Sequence, residues 1–355
     1  MANLFSPGPD YDAALLGATV GVRRDRRFLE VTGKAPEDML NGLLTNSLPP
    51  PPVAEEGGAL SGSVVYSALL DPKGRMITDL RVFSSSGDGF ILDLPSVGFD
   101  GAQAHFQKFL PPRLAKVGDR SGNLTLLTLM GPEAPTLLER TISQMGVSGS
   151  VEGIGELKEG EELLLPSGRG ENFRVTRNGE SHADGWDLLL PSAVSEEIRG
   201  RLDAGGAVPL SAQTLEILRI EKGRPAFGKD MDESTIPLEA GIQGRAIDHE
   251  KGCYTGQEVI IRIRDRGQVN KELRGLFLEE TLAQDRGREL FQPGRDKSIG
   301  WITSAVFSPA FGQTIALGYL RRGVEPGAEV CVGVMDGPKA QVRALGQEGW
   351  ITPFP

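Results

Sequence analysis

The sequence predicts an α+β body followed by a smaller all-β unit. Two apolar strand patterns pass straight into helical ones: Leu124–Met130 leads through Gly131 and Pro132 into a helix carrying Leu137, Leu138 and Ile142, and 186–191 leads through Ser192 into a helix carrying Ile198 and Leu202. Residues 63–70 and 75–83 read as strands around the turn Asp71-Pro72-Lys73-Gly74, with a third strand at 90–94 after a Ser- and Gly-rich turn at 84–89. From residue 271 onward the helical period fades, and short apolar strands such as 299–306 alternate with Gly and Pro turns, which predicts a barrel or sandwich.

The other elements follow from local chemistry. Pro49, Pro50, Pro51 and Pro52, followed by Glu55-Glu56-Gly57-Gly58, cannot continue a helix or a central strand, because proline lacks the amide donor and fixes φ; the stretch is a connector. Residues 215–222 read as a helix that Gly223 terminates in the left-handed conformation. The 47 glycines and 24 prolines follow no period and act as turn punctuation. With 39% hydrophobic and 24% charged residues over 355 positions, the composition is that of a globular chain of more than one domain.

A net charge of −10 provides no global basic field, so neither nucleic acid nor a membrane surface is an expected partner. Cys253 and Cys331 with three histidines exclude a disulfide framework and argue against a zinc site of four Cys or His ligands; no bound metal is expected. The first residues show no basic segment followed by an apolar core, and no run approaches the ~18 apolar residues of a membrane span. The expectation is a soluble protein of a reducing, cytoplasmic compartment.

The segment Lys251-Gly252-Cys253-Tyr254-Thr255-Gly256-Gln257-Glu258 is the most informative. Thr255 and Glu258 have the spacing of a capping box, which predicts a helix starting just after Thr255. Cys253 would then sit immediately before a helix amino terminus and near Lys251, both of which favour a thiolate; the alternative is a small buried filler. Cys331 reads as an ordinary strand residue. Glu221 falls in the last turn of its helix, where a carboxylate opposes the dipole. Such an acid suits an amino-pyrimidine edge, which offers parallel N–H donors, unless it is a solvated surface group. The cluster Asp230-Met231-Asp232-Glu233 lacks a calcium-loop pattern and reads as a solvated turn. Arg245, Lys251, Arg262, Arg264 and Arg266 make a locally basic neighbourhood, suited either to an anionic ligand or to a solvated helix face. Phosphate-loop, dinucleotide-binding and serine-hydrolase patterns are absent from the sequence.

At every position the octapeptide 251–258 resembles the signature of the YgfZ-type folate-binding family, relatives of the glycine-cleavage T-protein. The resemblance continues through 28–33, 43–46, 129–132, 218–221, 228–233 and 299–304, nearly the whole chain. It implies a T-protein-like three-lobed cloverleaf: two interleaved α+β lobes over 1–270 and a carboxy-terminal β-barrel over 271–355, around a hole that accepts tetrahydrofolate or a one-carbon derivative.

The resemblance also implies roles. Members of the YgfZ type support iron–sulfur cluster assembly or repair of client enzymes, with the cysteine of the motif, here Cys253, important; iron–sulfur assembly proteins or clients would then be partners. T-proteins transfer an aminomethyl carbon to tetrahydrofolate and carry paired aspartates where this chain has Thr78-Asp79. Asp79 would orient or deprotonate a folate ring nitrogen and stabilise the carbon in transfer, unless it pairs with Arg75 or Arg81. Tyr66 resembles a T-protein active-site tyrosine. Glu221 is the expected pterin ligand with Glu239 as the alternative, and Lys251 and Arg245 complete the expected binding set. The first expectation is a folate-binding accessory protein for iron–sulfur enzymes; the alternative is a folate-dependent aminomethyltransferase, and a third reading is a scaffold without folate.

Overall fold

The computed structural model describes residues 8–55, 58–85, 89–147, 151–167, 172–279, 288–346 and 349–350. Its organising element is the strand Leu60–Leu70, whose two ends pair with different partners. Residues 64–70 pair antiparallel with Met76–Ser84, while Leu60, Ser61, Gly62 and Ser63 pair with Leu164, Leu163, Glu162 and Glu161. That junction joins two half-sheets into one twelve-stranded sheet, whose two-residue strand Val53–Ala54 pairs with Ser61 and Leu60. On one side of it run Met76–Ser84, Gly89–Pro95, Arg26–Gly33 and Ala115–Asp119. On the other run Glu161–Leu165, Phe173–Asn178, Gly185–Pro191, Leu124–Met130, Thr19–Val22 and the short parallel strand Val208–Pro209.

Each half-sheet carries its own helices. Phe99–Phe109 and Pro36–Asn41 cover the first, with Phe99, Ala102, Phe106 and Leu40 packed on Leu29, Val31, Leu80, Val82 and Leu92. Ala134–Ser143 and Ser192–Ala204 cover the second, with Leu137, Leu138, Ile142, Ile198 and Leu202 on Leu127, Leu129, Leu188 and Leu190. A further core joins Phe28, Val64, Phe83 and Ile91 of the first half to Leu124, Leu126 and Leu189 of the second, so these strands bury side chains on both faces. Burial on both faces explains the near-continuous apolar run at 124–130. Its helix starts at Ala134 rather than at Pro132, because Gly131 holds φ +108 and packs its α-carbon against the Gly17 carbonyl.

From Lys271 onward six strands close a barrel: Lys271–Leu278 pairs with both Gln313–Arg321 and Lys339–Arg343, which leaves no open edge and distinguishes barrel from sandwich. Cys331 is buried in the strand Glu329–Val332. The helix Ala212–Lys222 docks the barrel onto the body. Ser211 caps it by accepting from Thr214 N–H, and Gly223, at φ 75, ends it as the sequence predicts. Asp230 is no solvated turn residue. It is 2% exposed and accepts from Arg219 at 2.7 Å and from Thr303 and Ser304 of the barrel at 2.5 and 2.7 Å. Residues 86–88 of the predicted turn lie outside the described residues. Among the described residues no helix is long and apolar enough to cross a membrane.

Candidate active site

The hairpin Leu60–Leu70/Met76–Ser84 places Tyr66 opposite Arg81 and Asp79 opposite Ala68, so Tyr66 and Asp79 are diagonal neighbours on one face. Tyr66 Oη donates to Asp79 Oδ2 at 2.8 Å. Asp79 is 7% exposed, and its Oδ1 is a buried acceptor without a partner among the described residues. Burial pushes the Asp79 carboxyl above its ordinary range, against the pull of Arg26 and the tyrosine hydrogen bond. Burial and the adjacent Asp79 likewise push the Tyr66 phenol well up, so it stays a donor. Neither Arg75 nor Arg81 pairs with Asp79; Arg81 instead bonds Asp93 at 2.6 Å and Asp187 at 2.5 Å, in a buried ladder that continues from Asp93 to Arg26 at 2.7 Å.

Tyr66 forms one wall of a cleft of about 320 Å³, at the small end for ligand pockets. Asn46, Arg81, Glu159, Arg177, Glu180 and Arg245 also line it. The Arg245 guanidinium lies 4.6 Å from the centroid of the Tyr66 ring and pairs with Glu180, with Glu159 at 3.5 Å. Arg245 also walls a second cleft of about 260 Å³, lined by Arg224, Glu239, Gln243, Glu272 and Arg274.

The other expected residues stand elsewhere. Glu221 is fully buried and lines neither cleft. Tyr11 Oη donates to both its oxygens at 2.9 Å, Ser308 Oγ and Ala310 N–H donate to Oε1, and His182 Nδ1 lies 3.0 Å from Oε2. All of these donors come from inside the fold and the carboxylate lines neither cleft, which goes against its expected role as the pterin ligand. Glu239 lines the second cleft, accepts from Ile236 N–H at 3.3 Å and faces Lys271 at 3.6 Å.

Lys251 is an anchor. Its Nζ donates to the carbonyls of Leu44 at 2.9 Å and Asn46 at 2.8 Å, and burial pulls its ammonium down to about 8 in spite of Asp248. The capping box does not form: the helix begins at Gln257, its cap is Gly256 in the left-handed conformation, and Thr255 bonds instead to the Gly42 carbonyl. A side chain at Gly256 would meet the Asp71 carbonyl at 2.6 Å, so only glycine fits against the hairpin turn. Tyr254 is buried among Ala68, Leu70 and Ile260. Cys253 is exposed, which overturns the filler reading, and it lies four positions ahead of the helix rather than at its start. Among the described residues no group of three or more His, Cys, Asp or Glu side chains is arranged to hold a metal ion.

Residues 26–251 match the model of the GCVT amino-terminal domain, and 271–347 match that of the glycine cleavage T-protein carboxy-terminal barrel domain. The chain belongs to the glycine cleavage T-protein family. Its relatives include an aminomethyltransferase of Thermosynechococcus vestitus, 29% identical over 73% of this chain and 67% of that one. Another, of Nitrosomonas europaea, is 27% identical over 89% and 84%. The crystal structure of the glycine cleavage system aminomethyltransferase T from Bartonella henselae covers 97% of this chain and 90% of its own with a TM-score of 0.78 at 20% identity, which shows the T-protein fold of α+β lobes and a terminal barrel.

Within this T-protein fold the departure at Thr78 has a local explanation. Strand neighbours point to opposite faces, and Thr78 packs away from the cleft, fully buried against Gly98 with its hydroxyl on the Asp79 carbonyl. Threonine there removes no acid from the face that carries Asp79. Sequence reasoning missed Glu180, Arg177 and Glu159. The signal for Glu180 was the Asn178-Gly179 pair ahead of it, a turn dipeptide at a strand end that presents its next side chain over the sheet edge.

Proposed function

We propose that this T-protein family member is a folate-dependent aminomethyltransferase, with Asp79 as its catalytic carboxylate and Tyr66 as the residue that positions it. The observation that carries the reading is the unpartnered Asp79 Oδ1, on a carboxylate bonded to Tyr66, which lines the cleft although Asp79 itself does not. A buried acceptor that lacks one hydrogen bond costs about 1–3 kcal/mol, and such a cost persists where a ligand supplies the missing donor. The residues fit a reduced folate: a carboxylate for a ring N–H or a cationic carbon, an aromatic face at Tyr66, and arginines for an anionic tail.

Tetrahydrofolate, when bound, supplies a nucleophilic ring nitrogen as acceptor of the carbon. The chain does the rest. Asp79, with its raised pKa, is suited to take a proton from that nitrogen and to stabilise positive charge on the incoming carbon. Tyr66 holds Oδ2 by donation and leaves Oδ1 for the reacting group. Access to Oδ1 takes a side-chain adjustment at Tyr66 or Asp79, of the scale common on ligand entry. Arg245 restrains the Tyr66 ring from above.

The test is incubation with tetrahydrofolate and an aminomethyl donor, following ammonia release and one-carbon-loaded folate. Turnover by the natural sequence and its loss in Asp79→Asn support the reading; equal turnover in both overturns it.

A second reading, support of iron–sulfur enzymes, is favoured by Cys253. In the octapeptide Lys251, Tyr254 and Gly256 have structural work, whereas Cys253 is exposed and forms no side-chain hydrogen bond or disulfide among the described residues. On that reading Cys253→Ser lowers iron–sulfur enzyme activity in cells and leaves carbon transfer in vitro unchanged.

A further inference from the structure

The face of the first half-sheet that looks toward the second changes character along its length. At one end Phe28, Val64, Phe83 and Ile91 pack on Leu124, Leu126 and Leu189. Strand alternation puts Arg26, Tyr66, Asp79, Arg81 and Asp93 on that same face, each an even number of positions from one of those apolar residues. The charges there form one ladder. Arg26 Nε donates to Asp93 Oδ1 at 2.7 Å and its Nη2 to the Asp93 carbonyl at 3.0 Å. Arg81 donates from Nε and Nη2 to Asp93 Oδ2 at 2.8 and 2.6 Å, and from Nη1 to Asp187 Oδ2 at 2.5 Å. Thr128 and Asn178 donate to the other Asp187 oxygen. The aspartate side chains are 0 and 1% exposed, the two arginines 14%.

A buried ion ladder is weak evidence for stability, since apolar side chains of similar volume pack as well, so its role lies elsewhere. It borders Asp79. Arg81 stands two positions along the same strand face, about 7 Å at the backbone, and Arg26 interacts with the Asp79 carboxylate through space. The other groups around Asp79 are the Tyr66 phenol and Glu180, itself paired to Arg245. Of the charges, Arg26 acts most strongly and opposes Glu180. We infer that Arg26 is a positioning residue for the reaction proposed above and acts through Asp79: its charge, fixed in place by Asp93, favours the ionised carboxylate that takes the proton. The inference rests on the folate reading and deepens it. Burial and Glu180 both favour the protonated acid, and Arg26 is the counterweight. Asp93 in turn limits that counterweight, because a carboxylate bonded to Arg26 screens its charge.

The experiment reads Asp79 twice in the full chain. One readout is the acid limb of kcat/KM for carbon transfer to tetrahydrofolate; the other, with no folate present, is the carbon-13 carboxyl titration of the aspartate resonance that Asp79→Asn removes. Arg26→Gln is expected to move both upward by about 1 pH unit, so that carbon transfer falls about tenfold below the limb and recovers above it. Arg26→Lys keeps a cation beside Asp93 and is expected to hold both near their natural positions. Asp93→Asn takes the screen from Arg26 and is expected to move both downward, an opposite sign that mere loss of structure does not produce; it carries the test if Arg26→Gln fails to fold. A limb and a titration unmoved in Arg26→Gln and Asp93→Asn, or moved alike by Arg26→Gln and Arg26→Lys, overturn the inference while the folate reading stands. Absence of carbon transfer by the natural sequence overturns the folate reading and with it the role in the reaction, and the folate-free titration then still reports whether Arg26 acts on Asp79.

Discussion

Two carboxylates, each held by a tyrosine, occupy opposite states of satisfaction. Glu221 accepts from Tyr11, Ser308 and Ala310 and has His182 beside it, joining the helix Pro9–Leu16, the docking helix and the barrel in one knot. Asp79 accepts from Tyr66 and keeps one buried oxygen unpaired. The helix-dipole argument correctly singled out Glu221 as an acid that needs a reason, and the reason is interior cohesion. On the proposed reading, a motif-matched acid whose donors all come from inside holds the fold, while an acid short of a donor and bonded to a cleft-lining tyrosine serves chemistry.

The comparison is most exposed to test at Asp79. Asp79→Asn is expected to lower carbon transfer by about 10²–10⁴-fold, the range for a positioned acid or base; steady-state kinetics checks it, and an unchanged kcat would erase the distinction. Next comes Glu221→Gln, which sets an amide N–H₂ among donors that all point inward. A loss of about 3 kcal/mol in urea unfolding is expected, with tetrahydrofolate affinity of the folded protein unchanged. A similar affinity loss in Glu221→Gln would instead put Glu221 back at the site. Lys251→Met removes the ammonium that ties the octapeptide to the Leu44 and Asn46 carbonyls and is expected to cost about 1–2 kcal/mol by the same measurement.

The smallest expected effect is the most diagnostic. The folded pKa of Asp79 lies above the ordinary aspartate value of 3.8, so the folded state binds its proton more tightly than the unfolded state does. The contribution of this group to stability is therefore fully present below pH 3.8 and is lost as pH rises through the folded pKa. Asp79→Asn should then be more stable than the natural chain at neutral pH, an advantage that disappears in acid. Thermal melts from pH 3 to 8 test the sign; a variant destabilised at neutral pH would mean that the charge at Asp79 is already compensated.

Local signals carried most of the fold. The hairpin around Asp71-Pro72-Lys73-Gly74, the strand into helix at Ser192 and the Gly223 stop are set by turn chemistry and period, which the sequence displays directly. The merger of two half-sheets is not local. It depends on Gly62 facing Glu162 across 100 positions, and nothing around Gly62 announces that pairing. The site divides in the same way. Tyr66 and Asp79 were legible because they lie on one predicted hairpin. Glu180 and Arg245 meet across separate segments, and the capping-box spacing at Thr255 misled because close packing of Gly256 on the hairpin turn takes precedence over a side-chain cap.

The strand Leu60–Leu70 belongs to both α+β lobes at once, and this bears on how the molecule comes apart. Fraying of either lobe strips the other of a ladder and of the shared core at Phe28, Phe83, Leu126 and Leu189. The two lobes are thus one cooperative foldon rather than a pair of independently melting modules. Neither should survive expression alone, and the amides of Leu60, Ser61 and Gly62 should exchange with deuterium only at the rate of global opening.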